Sequence, residues 1–248
     1  MRIDNFEINY AALVRDILTT GIERKTRNAV TKSVFGRMLR ISPGVNEFPI
    51  LSGRQMYYKG ILGELAAVLR GPKHIDDFKK FGCNYWDQWA NDDGYIAVDY
   101  GNAWLDFNGV NQLEELVEGL KRDPYGRRHI VTGWRPDRLK QLSLPCCHLL
   151  YQWYVRDGFL DMIWYQRSVD TMIGLPSDIV FAYVWNLLVA NEVGLKPGEI
   201  VMMLGDTHIY EPHYAGAAEY IQRMNKYVYY PELCTDIPTT PTHRPFAG

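Results

Sequence analysis

The sequence predicts a single domain of mixed α and β structure over residues 1–248. Three observations predict this class. The chain has 248 residues, of which 47% are hydrophobic and 23% charged, so it can bury a large core. Segments in which apolar residues recur with helical spacing are interspersed with alternating segments typical of strands. No internal repeat, low-complexity tract or linker divides the chain.

The first forty residues predict a helix followed by a strand. Apolar residues recur with helical spacing over 8–20, and Gly21 marks the end of that helix. A polar, basic stretch over 23–28 indicates a loop. The alternation over 33–41 is typical of a strand.

The next segment predicts two helices and an aromatic pair. Spacing predicts a helix over 57–70, with Glu64 close to its apolar stripe, where an unpaired buried carboxylate would be costly. A short helix is predicted over 74–81. Trp86 and Trp89 follow three residues apart, which favours anchoring in the core.

A further helix is predicted over 111–122, and residues 123–126 have the composition of a turn. Arg127 and Arg128 come next, before a predicted strand over 129–134. Adjacent residues on a strand point to opposite faces, so one of these arginines is expected to reach a specific partner.

The last part of the chain predicts three strands, two helices and a proline-rich loop. Asp157-Gly158 tolerates positive φ and predicts a hairpin between the first two strands. In order, the elements are strands over 149–155 and 159–165, a helix over 179–193, a strand over 200–204, a helix over 211–220 and a loop from 230.

Composition argues against several classes of function. The net charge of −2 gives no basic field to attract nucleic acid, so no DNA partner is expected. The four cysteines contain no C-x-x-C pair, and no metal site is predicted. The N-terminal residues lack the apolar core of a signal peptide, and no run reaches the roughly 18 apolar residues of a membrane span. A cytoplasmic setting is the expectation.

Cys147 and its neighbour His148 suggest nucleophilic chemistry. Neighbours on a strand point apart, so His148 is badly placed to deprotonate Cys147. Arg167, on the predicted neighbouring strand, is a candidate for lowering the pKa of the thiol. From the residues alone, Cys147 is either a nucleophile or a buried structural cysteine.

Three polar residues further along the chain have similarly open interpretations. Asp178 is expected at a helix start, where the helix dipole stabilises an acid, and this alone could explain it. His208 and Tyr210 share one face of an extended segment, and either could be a satisfied core group.

Four motifs, in this order, carry a resemblance to a known family. They are Pro-Cys-Cys-His-x-x-x-Gln over 145–152, Tyr-Gln-Arg-Ser-x-Asp over 165–170, Gly-Leu-Pro-x-Asp over 174–178 and Gly-Asp-Thr-His-x-Tyr over 205–210. Together they resemble the thymidylate synthase family, and the match runs from about Arg27 to Tyr210. The resemblance implies an α/β (α+β) fold in which helices flank a large mixed sheet, and a homodimer that packs through that sheet.

The resemblance also implies a reaction. Cys147 would add as a thiolate to C6 of a pyrimidine nucleotide, which makes C5 nucleophilic towards the one-carbon unit of 5,10-methylenetetrahydrofolate. Glu64 and Tyr100 would order the proton-transfer network. The folate side would be contacted by Trp86, Asp170 and Gly174, with Arg54 near the folate tail, where the family commonly carries lysine.

The implied nucleotide contacts are numerous. The 5′-phosphate would bind guanidinium groups, which suit it because they bind phosphate bidentately. Its ligands would be Arg27, Arg167 and Ser168, with Arg127 and Arg128 from the partner subunit. His208 and Tyr210 would hydrogen-bond the sugar hydroxyl, and Gln166 would belong to the same nucleotide site.

Asp178 departs from the family, which usually has asparagine there. The asparagine amide accepts from N3–H of uracil and donates to O4, whereas cytosine reverses that pattern. An aspartate can accept from the 4-amino group and share one proton with N3, which would also assist thiolate attack at C6. The related phage deoxycytidylate hydroxymethylases carry aspartate at the matching place. The expected substrate is therefore dCMP.

The fate of the transferred carbon leaves alternatives open. Hydride from the folate would give a methyl group, and water would give a hydroxymethyl group. The family's usual C-terminal ending is not recognisable over 242–248, which favours a dCMP hydroxymethylase that supplies modified nucleotides for phage DNA. The alternatives are a dCMP methylase, a thymidylate synthase acting on dUMP, and a catalytically idle regulator that binds nucleotide or RNA. Near-neutral charge and the intact Cys147, Arg167, Asp170 and His208 argue against the regulator.

Overall fold

A computed structural model describes residues 6–26, 29–42 and 48–224 of the chain. The helices are α1 (Phe6–Thr20), α2 (Tyr58–Val68), α3 (Ile75–Lys79), α4 (Asn102–Leu105), α5 (Gln112–Arg122), α6 (Gly174–Glu192) and α7 (Tyr214–Met224). The strands are β1 (Ile22–Lys25), β2 (Val30–Ile41), β3 (Ile130–Thr132), β4 (His148–Arg156), β5 (Phe159–Asp170) and β6 (Lys196–Tyr210). None of these helices is long and apolar enough to cross a membrane.

The strands of the described ranges form one mixed sheet in the order β1-β2-β6-β5-β4-β3. β5 and β6 are parallel, and every other neighbouring pair is antiparallel. The parallel pair is joined through α6, as a parallel connection requires a crossover. Helices α1 and α6 pack on the sheet. The predicted α+β class with a mixed sheet and flanking helices is confirmed.

The hairpin between β4 and β5 is also confirmed. Asp157 and Gly158 connect the two strands with φ values of 52° and 80°. Helices α1, α2, α5 and α7 lie close to their predicted positions. In α5 the agreement has a local cause, because Asn111 caps the helix by accepting from the backbone N–H groups of Leu113 and Glu114.

The basic stretch predicted as a loop contains a strand. Residues Ile22–Lys25 pair with β2 as the outermost strand of the sheet, and all four side chains are exposed. Alternation of apolar and polar residues does not reveal this strand, since edge strands commonly carry charged residues.

Helix α6 begins at Gly174, five residues before the predicted start at 179. Asp170 orders the preceding turn, because its Oδ1 accepts from the backbone N–H groups of Met172 and Ile173, both at 3.0 Å. Pro176 is tolerated because it lies in the first turn, where no intrahelical donor is needed. Asp178 therefore lies beyond the first turn, and its expected position at the helix start is wrong.

A layer of aromatic side chains lies between α6 and the β4–β5 hairpin. Trp104 and Trp185 stack with ring centroids 4.2 Å apart, and both are fully buried. Asn186 fixes this layer, because its Oδ1 accepts from Trp153 Nε1 at 3.1 Å and its Nδ2 donates to the Leu160 carbonyl at 2.8 Å. The buried amide thus makes hydrogen bonds inside an apolar layer, as buried polar groups require.

Gly101 links Tyr100 to α4 and offers a test of the fold. It has φ of 75°, and a Cβ there would lie 1.7 Å from the Val68 carbonyl oxygen. We expect Gly101→Ala to lower the free energy of unfolding by about 3 kcal/mol or more, because both the backbone strain and the clash with main-chain atoms must be relieved. Urea unfolding measures this. Gly216→Ala is the control, since nothing lies within 4 Å of its added Cβ, and a similar loss there would contradict the interpretation.

Candidate active site

A cavity of about 170 Å³ lies among α2, the start of α6, and the β4 and β5 strands. Its lining brings together residues that the motifs and the family resemblance had singled out at distant positions in the sequence. These are Glu64, Trp86, Tyr100, Cys147, Gln166, Ser168, Asp170, Gly174 and Asp178. Flat rings of Tyr85, Trp86 and Trp89 form one wall, and the polar groups lie mainly on the strands and α6.

Cys147 lies immediately before β4 and is held through its backbone. Its N–H donates to the Tyr100 hydroxyl at 2.5 Å, and its carbonyl accepts from the Arg167 N–H at 2.9 Å. Tyr100 is itself 5% exposed. The sulfur is therefore fixed at the cavity wall and remains partly accessible.

Without a bound substrate, the Cys147 thiol is protonated near pH 7. Burial raises the pKa of Cys147, while the Tyr100 hydrogen bond and the Arg167 charge lower it. Arg167 thus acts in the direction expected from the sequence, and burial outweighs it. Desolvation lowers the pKa of His148 to about 3, and its Nδ1 lies 2.5 Å from the Tyr151 hydroxyl. His148 is neutral and already engaged, so it is not the base for Cys147.

Asp178 is held by a short relay of hydrogen bonds. Trp164 Nε1 donates to Gln166 Oε1 at 3.0 Å, which leaves the amide nitrogen of Gln166 facing Asp178. That Nε2 donates to Asp178 Oδ2 at 2.7 Å and to the Ser168 carbonyl at 3.3 Å. Because indole is only a donor, the orientation of the Gln166 amide is determined. Asp178 therefore keeps its Oδ1 for other partners.

The Asp178 carboxyl is neutral near pH 7. Burial raises its pKa to about 8, and the Gln166 hydrogen bond, which lowers it, is too weak to compensate. The charges of Glu64 and Asp170 raise the pKa further. A protonated carboxyl offers one donor and one acceptor, as an amide does.

This raised pKa predicts a pH-dependent stability. Between the ordinary aspartate value of 3.8 and about 8, the folded state binds a proton that the unfolded state lacks, so stability falls as pH rises through that window. The slope is at most about 1.4 kcal/mol per pH unit. Asp178→Asn removes this titration, so we expect its urea midpoint, relative to the wild type, to be higher at pH 8 than at pH 5.5. A difference independent of pH would contradict the protonated state.

Glu64 faces the same cavity from α2. Its Oε1 accepts from Trp86 Nε1 at 2.8 Å and its Oε2 accepts from the Tyr85 hydroxyl at 2.7 Å. Burial nevertheless raises the pKa of Glu64. Trp86 is fixed in turn by stacking on Phe78, with ring centroids 4.8 Å apart. The carboxyl is thus positioned to exchange a proton with a molecule in the cavity.

Comparison with known proteins agrees with this geometry. The family model described as thymidylate synthase matches residues 8–242. The chain belongs to the thymidylate synthase family. It is therefore a one-carbon transferase that acts at C5 of a pyrimidine nucleotide, with methylenetetrahydrofolate as co-substrate. The aromatic wall of the cavity fits a flat folate ring, since such sites are lined by aromatic and apolar side chains.

Arg167, a predicted phosphate ligand of this family member, does not line the cavity. Its Nε donates to the Cys146 carbonyl at 2.8 Å and an Nη donates to the Pro145 carbonyl at 3.1 Å. The guanidinium also lies over Trp134, 5.3 Å from the ring centroid. In this arrangement Arg167 supports the backbone that leads into Cys147.

Arg54, Arg127 and Arg128 are also outside the cavity. Arg54 donates to the Met172 carbonyl and lines a second cavity of about 280 Å³, together with Tyr220 and Arg223. Arg127 and Arg128 are exposed just before β3. Arg27 lies outside the described residues.

His208 and Tyr210 lie on β6, at the strand end nearest the cavity. In the sheet register His208 is flanked by Asp170 on β5 and by Ser33 on β2. The rings of His208 and Tyr210 meet at right angles with centroids 5.0 Å apart. The extended segment expected from the sequence is confirmed, although neither side chain reaches the cavity that contains Cys147.

Sequence reasoning missed two polar contacts of the site. Asp206 binds His208, with Oδ1 3.2 Å from Nδ1, and also accepts from Ser33 Oγ at 2.7 Å. Its place inside the Gly-Asp-Thr-His motif was a usable signal. Tyr85, which binds Glu64, had no signal apart from being next to Trp86.

Metal ligation has no candidate in the described ranges, where no group of three or more histidine, cysteine, aspartate or glutamate side chains could hold an ion.

Proposed function

We propose that this protein is a deoxycytidylate hydroxymethylase, which converts dCMP to 5-hydroxymethyl-dCMP. The observation that carries the proposal is a carboxyl group, Asp178, in the cavity that contains Cys147, protonated near pH 7 and held by Gln166. Such a product suits the modification of phage DNA, and we propose that setting, in the cytoplasm, for this enzyme.

The preference for cytosine follows from where the shared proton can lie. A protonated Asp178 donates to N3 of cytosine and accepts from its 4-amino group. If the proton moves to N3, the carboxylate still accepts two hydrogen bonds, so the pair is satisfied in both states. With uracil only the protonated carboxyl fits, donating to O4 and accepting from N3–H; on ionisation one oxygen would face O4, another acceptor, and leave both unpaired. Cytosine is therefore satisfied at both positions of the shared proton, and uracil at only one. Because Asp178 lies beyond the first turn of α6, a role confined to the helix start does not explain it.

The cavity residues support the following steps. The Cys147 thiolate adds to C6, and the electron pair gained at C5 forms a bond to the one-carbon unit supplied by methylenetetrahydrofolate. The C5 proton then leaves, and the electron pair of that bond forms the C5=CH2 double bond while the bond from the carbon to the folate nitrogen breaks. Tetrahydrofolate departs with that bond's electron pair and takes up a proton, and the nucleotide carries an exocyclic methylene. Water adds to this methylene while Glu64 accepts the water proton. The C5=C6 bond re-forms as the thiolate leaves C6.

Tyr100 and Arg167 would assist the nucleophile. Tyr100 accepts from the backbone N–H of Cys147 and lowers the pKa of its thiol, so it can stabilise the thiolate as it forms. The positive charge of Arg167 acts in the same direction. Gln166, Ser168, Trp86, Asp170 and Gly174 all line the cavity. The first two would contact the nucleotide, and the other three would contact folate.

We further propose a homodimer that packs through the sheet. Met38, Met203 and Tyr165 are neighbours in the register across β2, β6 and β5, and their exposed fractions are 55%, 40% and 37%. Ile163, two residues from Tyr165, is 40% exposed on the same face. An apolar patch across three strands of a sheet is typical of an interface. In this assembly Arg127 and Arg128 would reach the partner's nucleotide, joining Arg27, His208 and Tyr210 at the phosphate and sugar, while Arg54 would face the folate tail.

Product formation tests the reaction directly. Protein, methylenetetrahydrofolate and dCMP tritiated at C5 are incubated while tritium release and the absorbance of dihydrofolate are followed together. We expect tritium release without dihydrofolate, and a product mass that corresponds to hydroxymethyl-dCMP. Release with an equal amount of dihydrofolate means hydride transfer, and would replace this proposal with a dCMP methylase. No release from any pyrimidine nucleotide would favour a binding protein.

A further inference from the structure

Tyr85 lines the cavity and contacts a catalytic group directly, yet it has no role in the reaction above. Its ring is 39% exposed at the cavity wall, and its hydroxyl donates to Glu64 Oε2 at 2.7 Å. The same hydroxyl lies 3.3 Å from the Gly60 carbonyl, one turn earlier on α2. Tyr85 therefore joins the loop after α3 to the carboxyl of Glu64.

The two carboxyls of the cavity differ in the hydrogen bonds that they receive. Glu64 accepts from two neutral donors, one on each oxygen, which are Tyr85 and Trp86. Among the residues that the structure describes, Asp178 accepts from Gln166 alone. Hydrogen bonds to a carboxylate stabilise its charge, so Glu64 is the better place for a negative charge.

The nearest cation that the structure describes, Arg167, faces the carbonyls of Pro145 and Cys146 and does not line the cavity. No lysine or arginine is among the described residues that line this cavity, and His148 is neutral. The other titratable groups around the pair are Cys83, next to Tyr85, with Tyr100, Cys147 and Asp170. Two carboxylates in such a site repel each other, so the ionisation of one opposes that of the other.

We propose that Tyr85 is a positioning residue that keeps the negative charge of this cavity on Glu64 and thereby keeps the proton on Asp178. The charge on Glu64 is one of the causes that raise the pKa of Asp178. Tyr85 acts on Asp178 through Glu64, without touching Asp178.

The consequence for catalysis rests on the proposed function. That function needs Glu64 ionised to accept a proton from water, and Asp178 protonated to donate to N3 of cytosine. Both states coexist only at pH values between the titration midpoint of Glu64 and that of Asp178. Tyr85 widens that pH interval, because it favours the charge on Glu64 and the proton on Asp178.

The test measures both titrations in the nucleotide-free protein. Carbon-13 NMR of protein labelled at the aspartate and glutamate carboxyl carbons follows each group with pH, and Asp178→Asn and Glu64→Gln assign the signals. In Tyr85→Phe we expect the Glu64 midpoint to rise by about one pH unit, the size expected for losing one hydrogen bond to a charged group. The Asp178 midpoint should fall. The pH profile of tritium release from dCMP should narrow from both sides.

Tyr57→Phe is the matched control, because its hydroxyl donates to the Gly82 carbonyl at 3.1 Å and its ring packs beside Tyr85 at Gly60. We expect both carboxyl titrations to be unchanged in that variant. Midpoints that stay constant in Tyr85→Phe, or that move in the same direction, would overturn the proposal.

A second variant covers the case in which Tyr85→Phe does not fold. Glu64→Gln removes the charge itself, so the Asp178 midpoint should fall; an unchanged midpoint overturns the proposal. These titrations require no substrate, so they succeed or fail independently of whether dCMP is the nucleotide.

Discussion

Cys147→Ala should lose C5 tritium release by on the order of 10³-fold or more, whichever pyrimidine nucleotide is used. The expected loss is large because the variant cannot form the covalent bond to C6 that makes C5 nucleophilic, and removing a nucleophile is among the most costly changes in an enzyme. The side chain is partly accessible at the cavity wall, so its removal should leave the fold intact. Tritium release and circular dichroism together distinguish lost chemistry from lost structure.

Cys146→Ala is the matched control. The neighbouring thiol is 1% exposed, and burial raises its pKa far above the usual value, so it is inert. Its carbonyl, which accepts from Arg167, is retained in the variant. We expect a loss of stability with little change in the rate of release. Full activity in Cys147→Ala, or a loss of similar size in Cys146→Ala, would show that Cys147 is not the nucleophile.

Asp178→Asn should shift the preference from dCMP towards dUMP by on the order of 10²-fold or more. The relay explains why. Gln166 donates to one oxygen of Asp178, and Trp164 prevents the Gln166 amide from turning over. An asparagine oxygen must then accept from Gln166, which fixes its NH₂ group on the other side. The variant has one fixed donor and one fixed acceptor, with no proton to share with N3.

The ratio of kcat/KM for the two nucleotides measures this shift. Asp157→Asn is the control, because Asp157 lies in the β4–β5 turn with φ of 52°, a conformation that asparagine also adopts. We expect its ratio to equal that of the wild type. A ratio in Asp178→Asn that still equals the wild-type value would mean that position 178 does not read the base.

Elements with strong local signals were predictable from the sequence. Helix α5 is strongly amphipathic and has an asparagine cap, and the β4–β5 turn has Asp-Gly chemistry; both lie where predicted. The edge strand β1 was missed because its charged residues carry no alternation, and pairing with β2 alone makes it a strand. The early start of α6 depends on a turn ordered by Asp170, which periodicity does not report.

In the candidate site, too, the identities of the residues were predictable from the sequence, whereas features that depend on tertiary contacts were not. Motifs identified Cys147, Gln166 and Asp178, and the apolar stripe of α2 together with the family resemblance identified Glu64; the structure places all four at one cavity. The protonation of Asp178 depends on burial and on Glu64 and Asp170, groups distant in sequence from α6. Whether Arg167 could bind the phosphate, as the resemblance implies, depends on the strand face that it occupies. Its contacts with the carbonyls of Pro145 and Cys146 were not predictable from spacing.

Substrate preference of the unmodified protein tests the central claim most directly. Wild-type protein is given equal amounts of dCMP and dUMP tritiated at C5, in separate reactions with methylenetetrahydrofolate, and the initial rates of tritium release are compared. A shared proton on Asp178 predicts release mainly from dCMP. Faster release from dUMP would contradict it, and would mean that the aspartate does not select the base.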